Sequence, residues 1–208
     1  MDLFSSSPST AEYATAETAA PENPLLEIIR FALIALIIVI PIRMFIAQPF
    51  IVSGASMDDT FHSGDYLIVD QVSYHFNQPK RSDIVIFRYP EDPSKFFIKR
   101  VIGVPGDTLS IDGNVITITN EANPEGAALN EPYIKSMTTS TRLTTTLAEQ
   151  EYFVMGDNRD QSSDSRVWGV LNEDEIIGRA FIRLFPPQNF SHLPGSLGSD
   201  AALFISSP

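Results

Sequence analysis

The chain of 208 residues contains no cysteine. Disulfides, thiolate metal sites and a cysteine nucleophile are thereby excluded. Histidine is nearly as scarce, with three copies at His62, His75 and His192. No two of them stand at metal-ligand spacing, which argues against a zinc site built on histidines. Cations are few: 14 Lys and Arg face 26 Asp and Glu, for a formal charge of −12. A nucleic-acid binder would carry a basic face, so no nucleic-acid partner is expected. Internal repeats are absent, and the first 24 residues hold no Lys or Arg at all.

What those 24 residues do hold is Ser, Thr, Ala, Glu and Pro without period, the composition of a disordered polar tail. The character changes at Leu25. Residues 31–42, FALIALIIVIPI, form an uncharged run framed by Arg30 and Arg43. With its flanks it predicts one transmembrane helix over 25–47, roughly the 20 residues a span requires. A cleavable leader fits poorly, because such leaders begin basic and this tail is acidic. The flanking Lys and Arg are too balanced to set the orientation.

Beyond Pro49 the pattern is that of short strands. Segments 50–52, 65–70, 83–89, 96–103, 108–111, 115–119, 152–155 and 180–185 are rich in β-branched and aromatic residues. Asp112-Gly113-Asn114 marks a tight hairpin. Residues 120–150 are polar and Thr-rich and predict a loop with at most one strand. Asn172 is placed to cap a short helical turn. The expected fold is all-β, antiparallel sheets around one core in a domain over 48–190, followed by a loose Ser/Gly/Pro-rich tail over 191–208. Leu203-Phe204-Ile205 is the one part of that tail apolar enough to dock.

Three stretches carry potential chemistry. Val52-Ser53-Gly54-Ala55-Ser56-Met57 is a small-residue turn that can expose a hydroxyl, although most such turns are connectors. A serine needs a base. The nucleophile elbow of α/β hydrolases fails here, because Asp58 stands where its second Gly belongs. His62 lies in a polar turn and reads as a solvated residue. Lys99 is the other option, since desolvation can bring an amine toward neutrality. It follows Phe96-Phe97-Ile98 and shares a strand face with Phe97 and Val101, while Ile98 and Arg100 share the other. Composition alone favours an exposed lysine on a strand edge. The third stretch, GDNRDQSSDSR at 156–166, fits no EF-hand frame. It is either a solvated loop or a rigid network of Asp–Arg pairs able to orient a nearby amine.

Together these stretches resemble the bacterial type I signal peptidases, the membrane-anchored Ser-Lys peptidases. The resemblance rests on SGASM with Thr60, GDYLIV at 64–69, KRVIGVPGD at 99–107, and GDNRDQSSDSR with Trp168-Gly169, in that order. It covers most of the chain from the apolar run to about Pro186. It implies that Ser56 attacks the scissile carbonyl and that Lys99 serves as base and then acid. It implies that Ser162 orients Lys99, that the Ser56 N–H donates to the oxyanion, and that Asp164 and Arg166 form a supporting ion pair. Asp157 and Arg159 are weaker candidates for that support. Phe50, Val52, Leu67, Ile86 and Ile98 fall where the family lines apolar pockets for small residues at −1 and −3 of the cleavage site.

Partners implied by the resemblance are secretory preproteins, bound as an added strand, and membrane lipid; no cofactor or metal is implied. A monomer is expected, anchored in the cytoplasmic membrane with the tail inside and the β domain on the outer face. Three positions depart from the family pattern. Asp59 stands where Pro is usual, and Asp does not fix φ. Gly54 stands where some members have a second oxyanion-hole Ser, which leaves Ser53 as a candidate. Ser82 replaces a common Gly. A membrane-tethered β module that binds extended peptides without cutting is the competing reading. A self-cleaving Ser-Lys repressor-type peptidase is a third, disfavoured by the apolar run and the acidic charge.

Overall fold

The computed structural model describes residues 23–41, 47–134, 141–197 and 203–204. The chain divides into two units, one reaching to Ile40 and one from Pro41 onward. The first is helix α1, Pro24–Pro41, 18 residues long. Asn23 caps it through its side chain, which accepts from Leu25 N at 3.3 Å, and Pro24 occupies the first turn, where a missing N–H costs nothing. Its apolar side chains, Leu25 through Ile40, are largely exposed. At 1.5 Å per residue it is about 27 Å long, just under a bilayer core of about 30 Å. Among the described residues no helix is long and apolar enough to cross a membrane. The predicted span continues through 42–46, which lie outside the described residues, as do residues 1–22 of the tail expected over 1–24.

The second unit is antiparallel β structure, as the alternation predicts. Its larger, eight-stranded sheet runs β1 (Ala47–Ile51), β2 (Tyr66–Asp70), β11 (Ile176–Phe185), β3 (Ile84–Tyr89), β4 (Asp92–Gly103), β9 (Glu151–Met155) and β10 (Leu171–Asn172), with β12 (Ser191–His192) beside β11. The smaller sheet runs β7 (Asn123–Ala128), β6 (Val115–Asn120), β5 (Thr108–Asp112) and β8 (Arg142–Thr146). A four-residue helix α2 (Ser165–Trp168) follows the polar run.

Strand β3 shows why the large sheet needs apolar residues on both faces. Ile84 and Ile86 join Val52, Met57, Phe61, Leu67 and Val69 on one side, while Val85 and Phe87 join Val101, Tyr152 and Val154 on the other. A third core, around Ile102, Leu109, Ile116, Ile118 and Phe153, belongs to the small sheet. The β5–β6 hairpin turns at Gly113, whose φ of +59° an L side chain rarely adopts.

Two expectations change. Residues 120–150 hold two strands, β7 and β8, where at most one was expected. Strand β8, RLTTT, pairs with β5 at a sheet edge and buries little, so it lacks an apolar rhythm. The segment after Phe190 is not wholly loose. Ser191 and His192 pair with β11, Leu203 is buried in the small-sheet core, and Phe204 bridges to Leu129. Ile205 lies outside the described residues. Asn172 does cap a turn, Glu173–Glu175, in a capping box.

Candidate active site

Ser56 sits in a turn pinned at both ends. Val52 N donates to Asp65 O at 2.9 Å, and Gly64 N donates to Val52 O at 2.9 Å, which ties the turn to the start of β2. Met57 and Phe61 are buried and drive the far side of the turn into the core. Gly54, at φ +97°, lets the backbone reverse just before the serine.

Lys99 projects from the middle of β4, where it stands opposite Val85 of β3. It is only 3% exposed, so it is not the surface lysine that composition favours. Its Nζ lies 2.7 Å from Ser56 Oγ and donates to Ile98 O at 3.0 Å; the Phe97 ring is 5.2 Å away. Burial pushes its pKa down to about 8, against a smaller upward pull from Asp164 and Asp157.

The run 156–166 is a buried network rather than a solvated loop. Asp164 accepts from Gly156 N at 3.0 Å and holds Arg166 through two bonds of 2.8 and 2.9 Å. Arg166 reaches back to Arg159 O at 2.7 Å, and Arg159 Nε donates to Gly156 O at 3.0 Å. Asn158 N donates to Ser56 O at 3.1 Å, so the loop grips the serine's own carbonyl. Gly156 has no room for a side chain, since a Cβ there would lie 2.3 Å from both Ser56 O and Ser162 Oγ.

Ser162 comes close to this cluster without the bond expected of it. Its Oγ is buried and makes no hydrogen bond to any described residue, whereas Lys99 spends its donors on Ser56 and Ile98. Ser162 follows a 3₁₀ turn, Arg159–Gln161, in extended backbone.

Beside Ser56 and Lys99 opens a cleft of ≈ 490 Å³. All five predicted pocket residues, Phe50, Val52, Leu67, Ile86 and Ile98, line it. So do Ser53, Phe96, Gln161 and Ser163. Phe96 was missed although it alternates with Ile98 on one face of β4; it meets Phe50 edge-on at 5.5 Å. Also missed was Arg100, which is wholly buried and grips Asp157 by two bonds of 2.8 and 2.6 Å. Asp157 accepts in turn from Thr60 Oγ1 at 2.5 Å. The only signal for this was the alternation that sends Arg100 to the face opposite Lys99. No cluster of His, Asp and Glu suited to a metal ion occurs among the described residues.

Comparison with known proteins bears on what this arrangement serves. The family model described as "Signal peptidase, peptidase S26" matches residues 25–185. The chain is 36% identical to the probable signal peptidase I-1 of Synechocystis sp., over 86% of this chain and 90% of that one. It is 36% identical to a signal peptidase I of Leptolyngbya laminosa, over 83% and 85%, and 32% identical to one of Bacillus licheniformis, over 79% and 91%. A crystal structure of a signal peptidase I from Enterococcus faecalis aligns with 50% of this chain and 97% of its own at 29% identity, with a TM-score of 0.42. The family match runs from helix α1 to the end of β11, and by it and these relatives the chain belongs to the signal peptidase family, peptidase S26, the serine peptidases that remove signal peptides.

Proposed function

We propose that this chain is a membrane-anchored endopeptidase that cuts secretory preproteins after small-x-small sites with a dyad of Ser56 and Lys99. The observation that carries the reading is the 2.7 Å contact between Ser56 Oγ and a buried amine held near pKa 8. An ordinary lysine is almost wholly protonated at neutral pH; this one has a usable neutral fraction.

In the first half-reaction neutral Lys99 Nζ accepts the Ser56 Oγ proton as Oγ adds to the scissile carbonyl. Negative charge builds on the carbonyl oxygen, and the Ser56 N–H donates to it, with Ser53 the candidate for a second donor. The tetrahedral intermediate collapses, the C–N bond breaks, and the Lys99 ammonium returns the proton to the leaving amine. An acyl ester on Ser56 remains. Water, deprotonated by Lys99, hydrolyses that ester and restores both groups. Asp164 and Arg166 act as support, holding the loop that grips Ser56 O.

Substrate selection falls to the cleft. Phe50, Val52, Leu67, Ile86 and Ile98 offer shallow apolar walls suited to small side chains at −1 and −3. The substrate lies extended along the strands that border the cleft. The anchor is the apolar stretch 25–47, of which α1 supplies the described part. The β unit faces the outer side of the cytoplasmic membrane, touches lipid, and works as a monomer.

The test is cleavage of a preprotein bearing an Ala-x-Ala site by the purified full chain in detergent, beside Ser56→Ala. Cleavage at that junction by the wild type alone is the expected result. Equal cleavage by Ser56→Ala would overturn the dyad. Peptide binding without cleavage by either protein would favour the non-cleaving module, and would make Asp59→Pro the next variant.

A further inference from the structure

Two arginines, Arg100 and Arg159, are buried behind the turn that carries Ser56, at 0% and 3% exposure. Neither can leave a donor idle without a desolvation cost. Arg100 places Nε and Nη2 on Asp157, and Nη1 on Ser82 O at 3.2 Å and Gly195 O at 2.6 Å. Arg159 places Nε on Gly156 O and both Nη atoms on the carboxylate of Glu131, with Nη1 at 3.0 Å from Oε2.

One short segment meets both guanidinium groups. Residues 129–134 leave the small sheet after β7. Glu131 pairs with Arg159, and two residues later the Tyr133 ring lies over Arg100, 3.9 Å from Cζ to the ring centroid. Tyr133 Oη donates to Glu131 Oε1 at 2.6 Å, which locks the two side chains to each other. The segment is itself fastened. Leu129 N donates to Ile116 O at 2.8 Å, and Asn130 N donates to Leu203 O at 2.7 Å.

What the arginines hold is the catalytic loop. Asp157, gripped by Arg100, takes the Thr60 hydroxyl, and the next residue, Asn158, donates to Ser56 O. Arg159 then closes back on Gly156 O. Contact therefore runs from the Tyr133 ring through Arg100, Asp157 and Asn158 to the serine's carbonyl. Neither Glu131 nor Tyr133 lines the substrate cleft.

We propose that Glu131 and Tyr133 are positioning residues, a clip from the small sheet that holds Arg100 and Arg159 and thereby sets Ser56 against Lys99. The proposal rests on the dyad reading given above. Because the clip touches the loop and not the cleft, its loss lowers kcat and leaves KM in place. The face of the Tyr133 ring is the part that meets Arg100, so a phenylalanine keeps the effect and a leucine does not.

The experiment is steady-state cleavage of the Ala-x-Ala preprotein by the full chain in detergent, with Tyr133→Leu, Tyr133→Phe, Glu131→Gln and Ser56→Ala side by side. Tyr133→Leu and Glu131→Gln are expected to lower kcat about tenfold or more with KM held within about twofold. Tyr133→Phe is expected to stay within about threefold of wild-type kcat. A folded Tyr133→Leu with wild-type kcat overturns the clip, as does a rise in KM alone or a Tyr133→Phe as slow as the leucine. Should Tyr133→Leu fail to fold, Glu131→Gln decides by the same two readouts. Cleavage that persists in Ser56→Ala overturns the dyad instead, whatever the clip variants do.

Discussion

Lys99 and Arg100 are neighbours on one strand, both cations, both buried, and the protein treats them in opposite ways. Arg100 turns toward the loop and receives a bidentate carboxylate, two backbone carbonyls and an aromatic ring. Lys99 turns toward the cleft and receives a serine hydroxyl, one carbonyl and the more distant Phe97 ring, with no carboxylate bonded to it. One face of β4 pairs its charge, and the other leaves it costly. A buried amine without a carboxylate beside it relieves that cost by releasing its proton. The strand's period of two separates a charge-paired cation from an amine of lowered pKa within a single peptide unit.

The widest gap between the two residues should open on substitution to methionine, which keeps much of the bulk and removes the charge. Lys99→Met should lose cleavage by about a thousandfold or more, because Lys99 is the basic side chain bonded to Ser56 Oγ among the described residues. Its fold should gain stability. In the unfolded chain this lysine carries a proton up to the ordinary pKa of 10.5, while in the native state it gives that proton up above about 8. Below pH 8 the native state must hold a charge it disfavours, so removing the group should stabilise the protein by up to about 3 kcal/mol at pH 7. Chemical denaturation and the cleavage assay, run on the same preparation, check both halves. A Lys99→Met that cleaves at wild-type rate would remove the base from the mechanism.

Arg100→Met should move stability the other way. It strands Asp157 as a buried, half-satisfied carboxylate, with the Thr60 hydroxyl still on it. Breaking one half of a buried pair costs about 3–5 kcal/mol. A denaturation midpoint equal to that of the wild type would mean that Asp157 finds other partners, and the contrast between the two faces would lose half its basis.

Acidity probes the same contrast without mutation. The rate should climb as pH rises through about 8, the folded pKa of Lys99, and level off above it. Below that point the neutral fraction falls about tenfold per pH unit, and kcat should follow it. A profile flat between pH 6 and 9, measured with a substrate free of titrating groups, would contradict a lysine base. The pH values bracketing that window are set to span about one unit or more on each side of the pKa.

Much of this was legible in the chain because it depends on period and order. The alternation in YLIVD puts Leu67 and Val69 on one buried face of β2, and the apolar run in β3 marks a strand covered on both faces. The hairpin at Gly113 announced itself by its turn residues. Ser56, Lys99 and the run 156–166 could be named because together, and in that order, they resemble the boxes of one peptidase family; taken singly, the turn read as a connector and the lysine as exposed. Arg100 could not be, since a basic residue next to another looks the same whether it faces water or a carboxylate that lies 57 positions away. Glu131 and Tyr133 stand in a polar stretch with no rhythm, and their partners are set by the packing of two sheets. Leu203 was legible as part of the one apolar stretch of the tail able to dock, and it is buried; which core it would enter was not.

Ser162 sharpens the comparison at its finest point. Its Oγ is buried within reach of the cluster yet makes no hydrogen bond among the described residues. A buried hydroxyl without a partner contributes desolvation cost and no return, so Ser162→Ala should leave stability unchanged or raise it by about 1 kcal/mol. In the proposed reaction Lys99 must swing its lone pair toward Ser56 and then carry a full charge, and a hydroxyl close by becomes an acceptor for the new ammonium. On this proposed reading the interaction would form in the transition state and not at rest, which is the condition for it to speed the chemical step. Ser162→Ala should therefore lower kcat about tenfold while KM stays put and the denaturation midpoint holds or rises. A variant that loses stability together with rate would show instead that the hydroxyl is bonded in the resting protein, and that Lys99 depends on a fixed partner as Arg100 does.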